Sequence, residues 1–181
     1  MPSSTNKLAV LIDGAALYAA SKTVGFEIDF QRLLKAYEKR GTLLRALYYT
    51  ALIEDQDFSP IRRLTDWLDY NGYTVVSKPA KEFDDGEGRR KFKRNLSMEL
   101  VVDALELSNY IDHIILFSGD GDFRHLVAAV QKRGVHVTVV SPLSMVADEL
   151  RRQADVFTDL VDLKSEIGRD PSEHLAPRER R

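Results

Sequence analysis

The sequence contains no cysteine. That excludes disulfides, thiol nucleophiles and cysteine-ligated zinc, and it suits a reducing cytoplasm, where the chain is expected to work. No apolar run approaches the roughly 20 residues of a membrane span, so no membrane partner is expected. The opening stretch from Met1 to Lys7 is short and polar and does not read as a signal peptide. Neither sign of charge dominates: the formal net charge is −2. Nothing global therefore announces a nucleic acid, and any basic surface must be local. A phosphate-binding loop of the lysine type is absent. Gly119-Asp120-Gly121 begins like a dinucleotide fingerprint, but Arg124 stands where the third glycine belongs, and the acids would repel a pyrophosphate. The histidines, His113, His125, His136 and His174, show no metal-ligand spacing. Ser118 and Ser141 lack a nucleophile-elbow motif and an evident histidine partner. There is no internal repeat.

What is present is an alternation. Apolar strands are expected at Lys7–Asp13, Leu43–Ala51, Tyr73–Ser77, Ile111–Phe117 and Val135–Val140, with a short edge strand within Val156–Leu163. Helical patterns separate them at 14–21, after Asp29, after Pro60, at 95–109, 122–133 and 145–153. Asp29 is placed to cap its helix, and Lys39-Arg40-Gly41 to end it on a left-handed glycine. Strands alternating with helices argue for a parallel sheet covered on both faces, with right-handed crossovers. One domain is expected over 1–164. From Ser165 to Arg181 the chain is charged, contains Pro171 and Pro177, and reads as a disordered tail.

The sequence is organised around Ser118-Gly119-Asp120-Gly121-Asp122-Phe123, at the handover from a buried strand to a helix. The flanking glycines would allow a sharp turn there. The first strand also ends in an acid and a glycine, Asp13-Gly14. In open α/β sheets, ligands bind at the carboxyl ends of the strands. If these two strands are neighbours, Asp13, Asp120 and Asp122 meet, and clustered like charges need a cation or shared protons. Oxygen donors without cysteine favour Mg²⁺ or Mn²⁺ over zinc. The plainer alternative is that each aspartate caps the helix after it. Glu99 and Asp103 share one face of the helix at 95–109, beside the apolar stripe Leu96, Leu100, Ala104 and Leu107. Asp103 either joins the acidic cluster or pairs with a neighbouring element.

The stretch Lys81–Arg94 holds six basic and four acidic residues and two glycines, and reads as an exposed loop or small hairpin. Its basic end, Arg89, Arg90, Lys91, Lys93 and Arg94, is either a solvated face or a hold for phosphates beside the acids, with Phe92 able to stack on a base.

Leu11-Ile12-Asp13-Gly14, the helix carrying Glu99 and Asp103, and the Ser118–Phe123 stretch together resemble the NYN domain family in its LabA-like branch, over about Leu8 to Leu163. The resemblance implies a PIN-like fold: a three-layer α/β/α sandwich on a parallel five-stranded sheet of order 3-2-1-4-5. It implies a metal-dependent ribonuclease in which Asp13, Asp120 and Asp122 hold Mg²⁺ or Mn²⁺, with RNA as the partner. Two positions depart from the family pattern. Ala16 stands at the usual asparagine, and Ser97 at a usual aspartate, where a hydroxyl is a weaker ligand. Glu99 or Asp103 could substitute for it. Asp13, Asp103, Asp120 and Asp122 are thus the catalytic candidates, and Asp13, Asp120, Asp122 and Glu99 the metal ligands. Ser97 and Ser118 support them. A metal-dependent ribonuclease and a catalytically weakened module that binds RNA or protein remain the two readings, and homodimer formation is left open.

Overall fold

The structure is a computed structural model that describes residues 6–52, 59–84, 86–87, 90–93 and 96–172. In chain order the elements are β1 (Lys7–Asp13), α1 (Gly14–Val24), α2 (Phe30–Glu38), β2 (Thr42–Leu52), α3 (Pro60–Tyr70), β3 (Thr74–Pro79), β4 (Lys81–Asp84), β5 (Arg90–Lys93), α4 (Ser97–Leu107), β6 (His113–Phe117), α5 (Arg124–Lys132), β7 (His136–Ser141), α6 (Asp148–Gln153), β8 (Val156–Asp159) and α7 (Lys164–Ile167). The main sheet is parallel, in the order β3-β2-β1-β6-β7-β8. Its first five members reproduce the expected order, and β8 adds a sixth strand at the edge. β4 and β5 form a separate antiparallel hairpin in the basic stretch.

The central strand shows why two helical layers are needed. Leu8, Val10 and Ile12 alternate onto one face, where they pack with Leu17 and Ala20 of α1, Leu33 and Tyr37 of α2, and Leu68 of α3. Ala9 and Leu11 point the other way, against Leu100 and Ala104 of α4, Leu126 and Val130 of α5, and Leu150 of α6. A strand apolar on both faces must be covered on both. Helix starts follow the sequence: Asp29 caps α2 by accepting from the N–H groups of Gln31 and Arg32 at 3.0 and 3.1 Å. The left-handed cap expected at Gly41 does not form, because α2 has ended at Glu38. Gly41 is instead pressed against the Asn6 carbonyl, where a Cβ would collide.

The expected tail boundary at Ser165 falls inside α7. Ile167 is buried against the α1–α2 layer. Its carbonyl accepts the Asp29 N–H at 2.8 Å, and Gly168 bridges Ile28. The folded segment therefore runs past the expected boundary because an apolar residue there closes a core. Of the described residues, no helix is long and apolar enough to cross a membrane.

Candidate acidic site at the carboxyl edge of the sheet

β1 and β6 pair in register, Leu8 with His113 through Ile12 with Phe117. The strands therefore end in step, and the turns that follow them lie side by side. Asp13 is the last residue of β1 and the N-cap of α1. Its Oδ1 accepts the Ala16 N–H at 3.3 Å, and its Oδ2 accepts the Ser118 hydroxyl at 3.2 Å. The same hydroxyl oxygen accepts the Asp120 N–H at 3.2 Å. Asp120 in turn caps the short turn of helix at Gly121–Phe123, its Oδ1 accepting the Asp122 N–H at 2.9 Å. Capping and acid pairing are thus the same arrangement: each helix start fixes its aspartate, and buried Ser118 ties one aspartate to the other. Burial pushes the Asp13 carboxyl above the usual aspartate value, and the charge of Asp120 adds to the shift. The hydrogen bonds from Ala16 and Ser118 oppose it without winning.

The glycines here serve approach, not turning. Gly14, Gly119 and Gly121 are not left-handed. A Cβ on Gly14 would lie 2.6 Å from the Tyr49 carbonyl oxygen and 2.8 Å from the Tyr48 ring. One on Gly119 would strike the Met145 carbonyl and come within 2.9 Å of the Ser141 Oγ. One on Gly121 would strike the Glu149 carboxylate. The sharp turn expected around Asp120 is therefore corrected: the missing side chains let the β7–α6 connection and β2 close down on the acids.

Two clefts open over the acids. The first, of about 310 Å³, lies toward the α4 layer and is lined by Asp13, Asp120, Tyr49, Ser97, Leu100 and Phe123 among others. The second, of about 280 Å³, lies toward the α1 layer, among Leu17, Ala20, Ser141, Met145 and Leu160. Asp13, Ala16 and Asp120 line both. At the first cleft, Ser97 opens α4, whose N-terminus carries no side-chain cap bond.

The other expected acids are not brought to this point. Asp122 is exposed and lines neither cleft; what it gives the site is its N–H. Asp103 accepts the Tyr49 hydroxyl at 2.8 Å. Burial, with that bond, pushes the Tyr49 hydroxyl far above its usual range. Glu99 pairs with Lys78 of β3 at 2.8 Å, which holds its carboxyl low, while its Oε2 is buried without a hydrogen-bond partner. Among the described residues no three Asp, Glu, His or Cys side chains gather as a metal cluster. Ser118 and Ser97 stand where supporting residues were expected. Arg90, Lys91 and Lys93 lie on β5, while Arg89 and Arg94 fall outside the described residues.

Tyr49 was missed by sequence reasoning. Its signal was the Tyr48-Tyr49 pair late in β2, since neighbouring strand residues face opposite layers. Tyr48 faces the α1 layer beside Asp13, and burial with that charge pushes its hydroxyl up to about 12. Tyr49 faces α4, and Asp13 pairs with it in register.

Comparison with known proteins places the fold in a family. Residues 7–163 match the model of the NYN domain. The chain is 39% identical over 166 residues to the "Low amplitude and bright protein LabA" of Synechococcus elongatus, covering 90% of this chain and 88% of that one. A crystal structure of a protein of unknown function from Vibrio parahaemolyticus is similar with a TM-score of 0.72 and 26% identity, over 88% of this chain and 96% of that one. The family match spans the central strand, both acidic turns and the helices that cover them, and the sheet order is the one the resemblance implied. The chain belongs to the NYN domain family.

Proposed function

We propose that this chain is a ribonuclease that hydrolyses phosphodiester bonds of RNA with the help of Mg²⁺ or Mn²⁺. The observation that carries the reading is one cleft that brings Asp13 and Asp120 together with the N-terminus of α4. Carboxylates suit a hard cation, and a helix N-terminus without a side-chain cap suits a phosphate. The donor set fits such an ion: Mg²⁺ is commonly held by one or two carboxylates, with water and substrate oxygens completing its shell. The raised Asp13 carboxyl fits as well: burial is the main cause and the Asp120 charge adds to it, and a nearby cation would favour the charged form against both. When bound at Asp13 and Asp120, the ion would polarise a phosphoryl oxygen and acidify a water.

The remaining work falls to this chain's own groups. Ser118 fixes the Asp13 carboxylate through Oδ2 and the Asp120 backbone through its N–H. The α4 N–H groups would receive the phosphate. Arg89, Arg90, Lys91, Lys93 and Arg94 of the basic stretch would hold flanking phosphates. A water would attack phosphorus in line, forming one P–O bond as the bond to the leaving ribose oxygen breaks, the water giving one proton to solvent and the leaving oxygen taking one from it.

A second reading, a catalytically weakened module that binds RNA or a protein partner, is favoured by one observation. Ser97 brings no charge, and Glu99 and Asp103 are engaged with Lys78 and Tyr49. Cleavage of labelled RNA and single-stranded DNA against Mn²⁺ concentration separates the two. The ribonuclease reading expects metal-dependent RNA cleavage that falls about a hundredfold in Asp120→Asn. It fails if the rate survives that change or survives chelation. If wild type is inert and Ser97→Asp gains activity, the module reading stands.

A further inference from the structure

The second cleft reaches the acids from the other side, with Ser118, which ties them together, in its wall. Asp13, Ala16 and Asp120 line it as they line the first, so the two clefts meet over the carboxylates. A polymer cut at those acids must leave on the far side from where it enters. The far side here is of different chemistry from the near one. Leu17, Ala20, Met145 and Leu160 line it, and besides the Asp13 and Asp120 carboxylates its polar groups are the hydroxyls of Ser118 and Ser141. Ser118 is already engaged at both of its functions, as donor to Asp13 and acceptor from Asp120. Ser141 is buried, and its hydroxyl donates to the neighbouring Pro142 carbonyl at 3.2 Å, which leaves its oxygen able to accept.

We infer that this cleft is a nucleobase subsite: it takes the base of the nucleotide adjoining the scissile phosphate, between apolar walls, with Ser141 reading the base edge. The described lining of neither cleft contains Lys or Arg, so charge does not separate them; the second is set apart by its more apolar surface and by the buried Ser141 hydroxyl. A base, with flat apolar faces and a polar edge, matches a cleft with apolar walls and a buried hydroxyl. Gly119 keeps the subsite in contact with the acids. A side chain at that position would run into the Met145 carbonyl and the Ser141 hydroxyl, the two groups that border the cleft on the β7–α6 connection. The first cleft thus receives the backbone and the second receives a base.

The inference rests on the RNA reading, and binding separates the two. Fluorescence anisotropy is measured in Ca²⁺, so that turnover plays no part. The probes are short single-stranded oligoribonucleotides of A, C or U and an abasic strand of the same length. The proteins are wild type, Met145→Ala and Ser141→Ala, each checked by thermal melting. Met145→Ala is expected to weaken the base-bearing strands about tenfold by removing an apolar wall, and to leave the abasic strand unchanged. Ser141→Ala is expected to lower affinity for the preferred base about fivefold and so to flatten preference among bases. If the strands bind wild type and both variants alike, the base subsite is overturned while the RNA reading survives. If wild type binds no strand, both fall together.

Discussion

Asp13 and Asp155 stand at opposite ends of the same sheet and answer burial in opposite ways. At the carboxyl edge, burial and the charge of Asp120 win, and the Asp13 carboxyl is raised. At the amino edge, burial also pushes Asp155 up, but more strongly bonded partners pull it below its usual value. Asp155 accepts the Val137 N–H at 2.8 Å and the Gln131 side chain at 3.1 Å, with His136 at 3.9 Å. The difference lies in what surrounds each anion. Both accept hydrogen bonds, but Asp13 is the more deeply buried, with a second carboxylate beside it, whereas Asp155 is backed by a cationisable ring. An acid whose partners outweigh burial adds to the scaffold, whereas an acid that burial and a like charge leave raised is held at a cost.

The comparison breaks most visibly if the two acids are exchanged in their effects. Asp13→Asn is expected to abolish metal-dependent RNA cleavage by about two orders of magnitude, while Asp155→Asn leaves the rate at wild-type level. Cleavage assays at saturating Mn²⁺ read this out, and an equal loss in both variants would erase the distinction. In stability the order reverses. Asp155→Ala removes hydrogen bonds to an anion and should cost about 1.5 kcal/mol, measured by urea unfolding. Asp13→Asn should instead gain about 1 kcal/mol, because burial and the Asp120 charge disfavour the carboxylate it replaces. The sign follows from linkage. A carboxyl raised in the folded state contributes stability below its unfolded value of 3.8, and that contribution is gone at neutral pH.

The amino edge also sharpens the comparison through pH. The rings of His113 and His136 meet edge to face with centroids 4.9 Å apart, and His113 Nε2 meets the Thr138 hydroxyl at 2.8 Å. Burial, then the neighbouring His136, lowers the His113 value from 6.5. A depressed histidine contributes stability that is whole above pH 6.5 and is lost as pH falls through the folded value. Unfolding midpoints from pH 8 to 5 should therefore decline, and His113→Gln should flatten the part of the decline below 6.5. An unchanged slope would mean that the ring titrates as it does in water. The smallest effect is expected at Glu99→Gln, under about 0.5 kcal/mol, because its pair with Lys78 is part-exposed. A large loss there would instead give the orphaned Oε2 a role.

Much of the fold was legible because its causes are local. The apolar strand runs, Asp29 before α2 and the acid-glycine ends of β1 and β6 announce themselves in sequence. Their register follows once β1 and β6 are neighbours. What escaped reading depends on groups far apart in the chain. Gly119 and Gly121 read as turn glycines, yet Gly119, like Gly14, is small because backbone from elsewhere, at Met145 and Tyr49, presses on it. Asp103 lies beside an apolar stripe in either case, and only β2 across the layer decides that its partner is Tyr49. Asp122 sat in the right motif, but the helical turn it joins sends its carboxylate outside both clefts. The second cleft had no sequence signature, since its walls come from α1, the β7–α6 connection and the segment after β8. The boundary at Ser165 failed because charge in the surrounding residues hid one buried Ile167.

That segment after β8 sets an order on the making of the protein. Arg32 of α2 donates to the Gly168 carbonyl, a partner 136 residues further along the chain. Arg40 meets Glu166, and the Arg169 N–H reaches the Glu27 carbonyl. Phe26 and Ile28 lie in the same core as Ile167. During synthesis, then, the α1–α2 layer emerges from the ribosome early but lacks its last wall until residues near 167 have also emerged. For that interval its apolar face is open to chaperones or to neighbouring chains. A chain released at residue 163, where the family match stops, would leave that face open permanently. Nascent chains arrested on either side of Ile167 should differ abruptly in protease resistance.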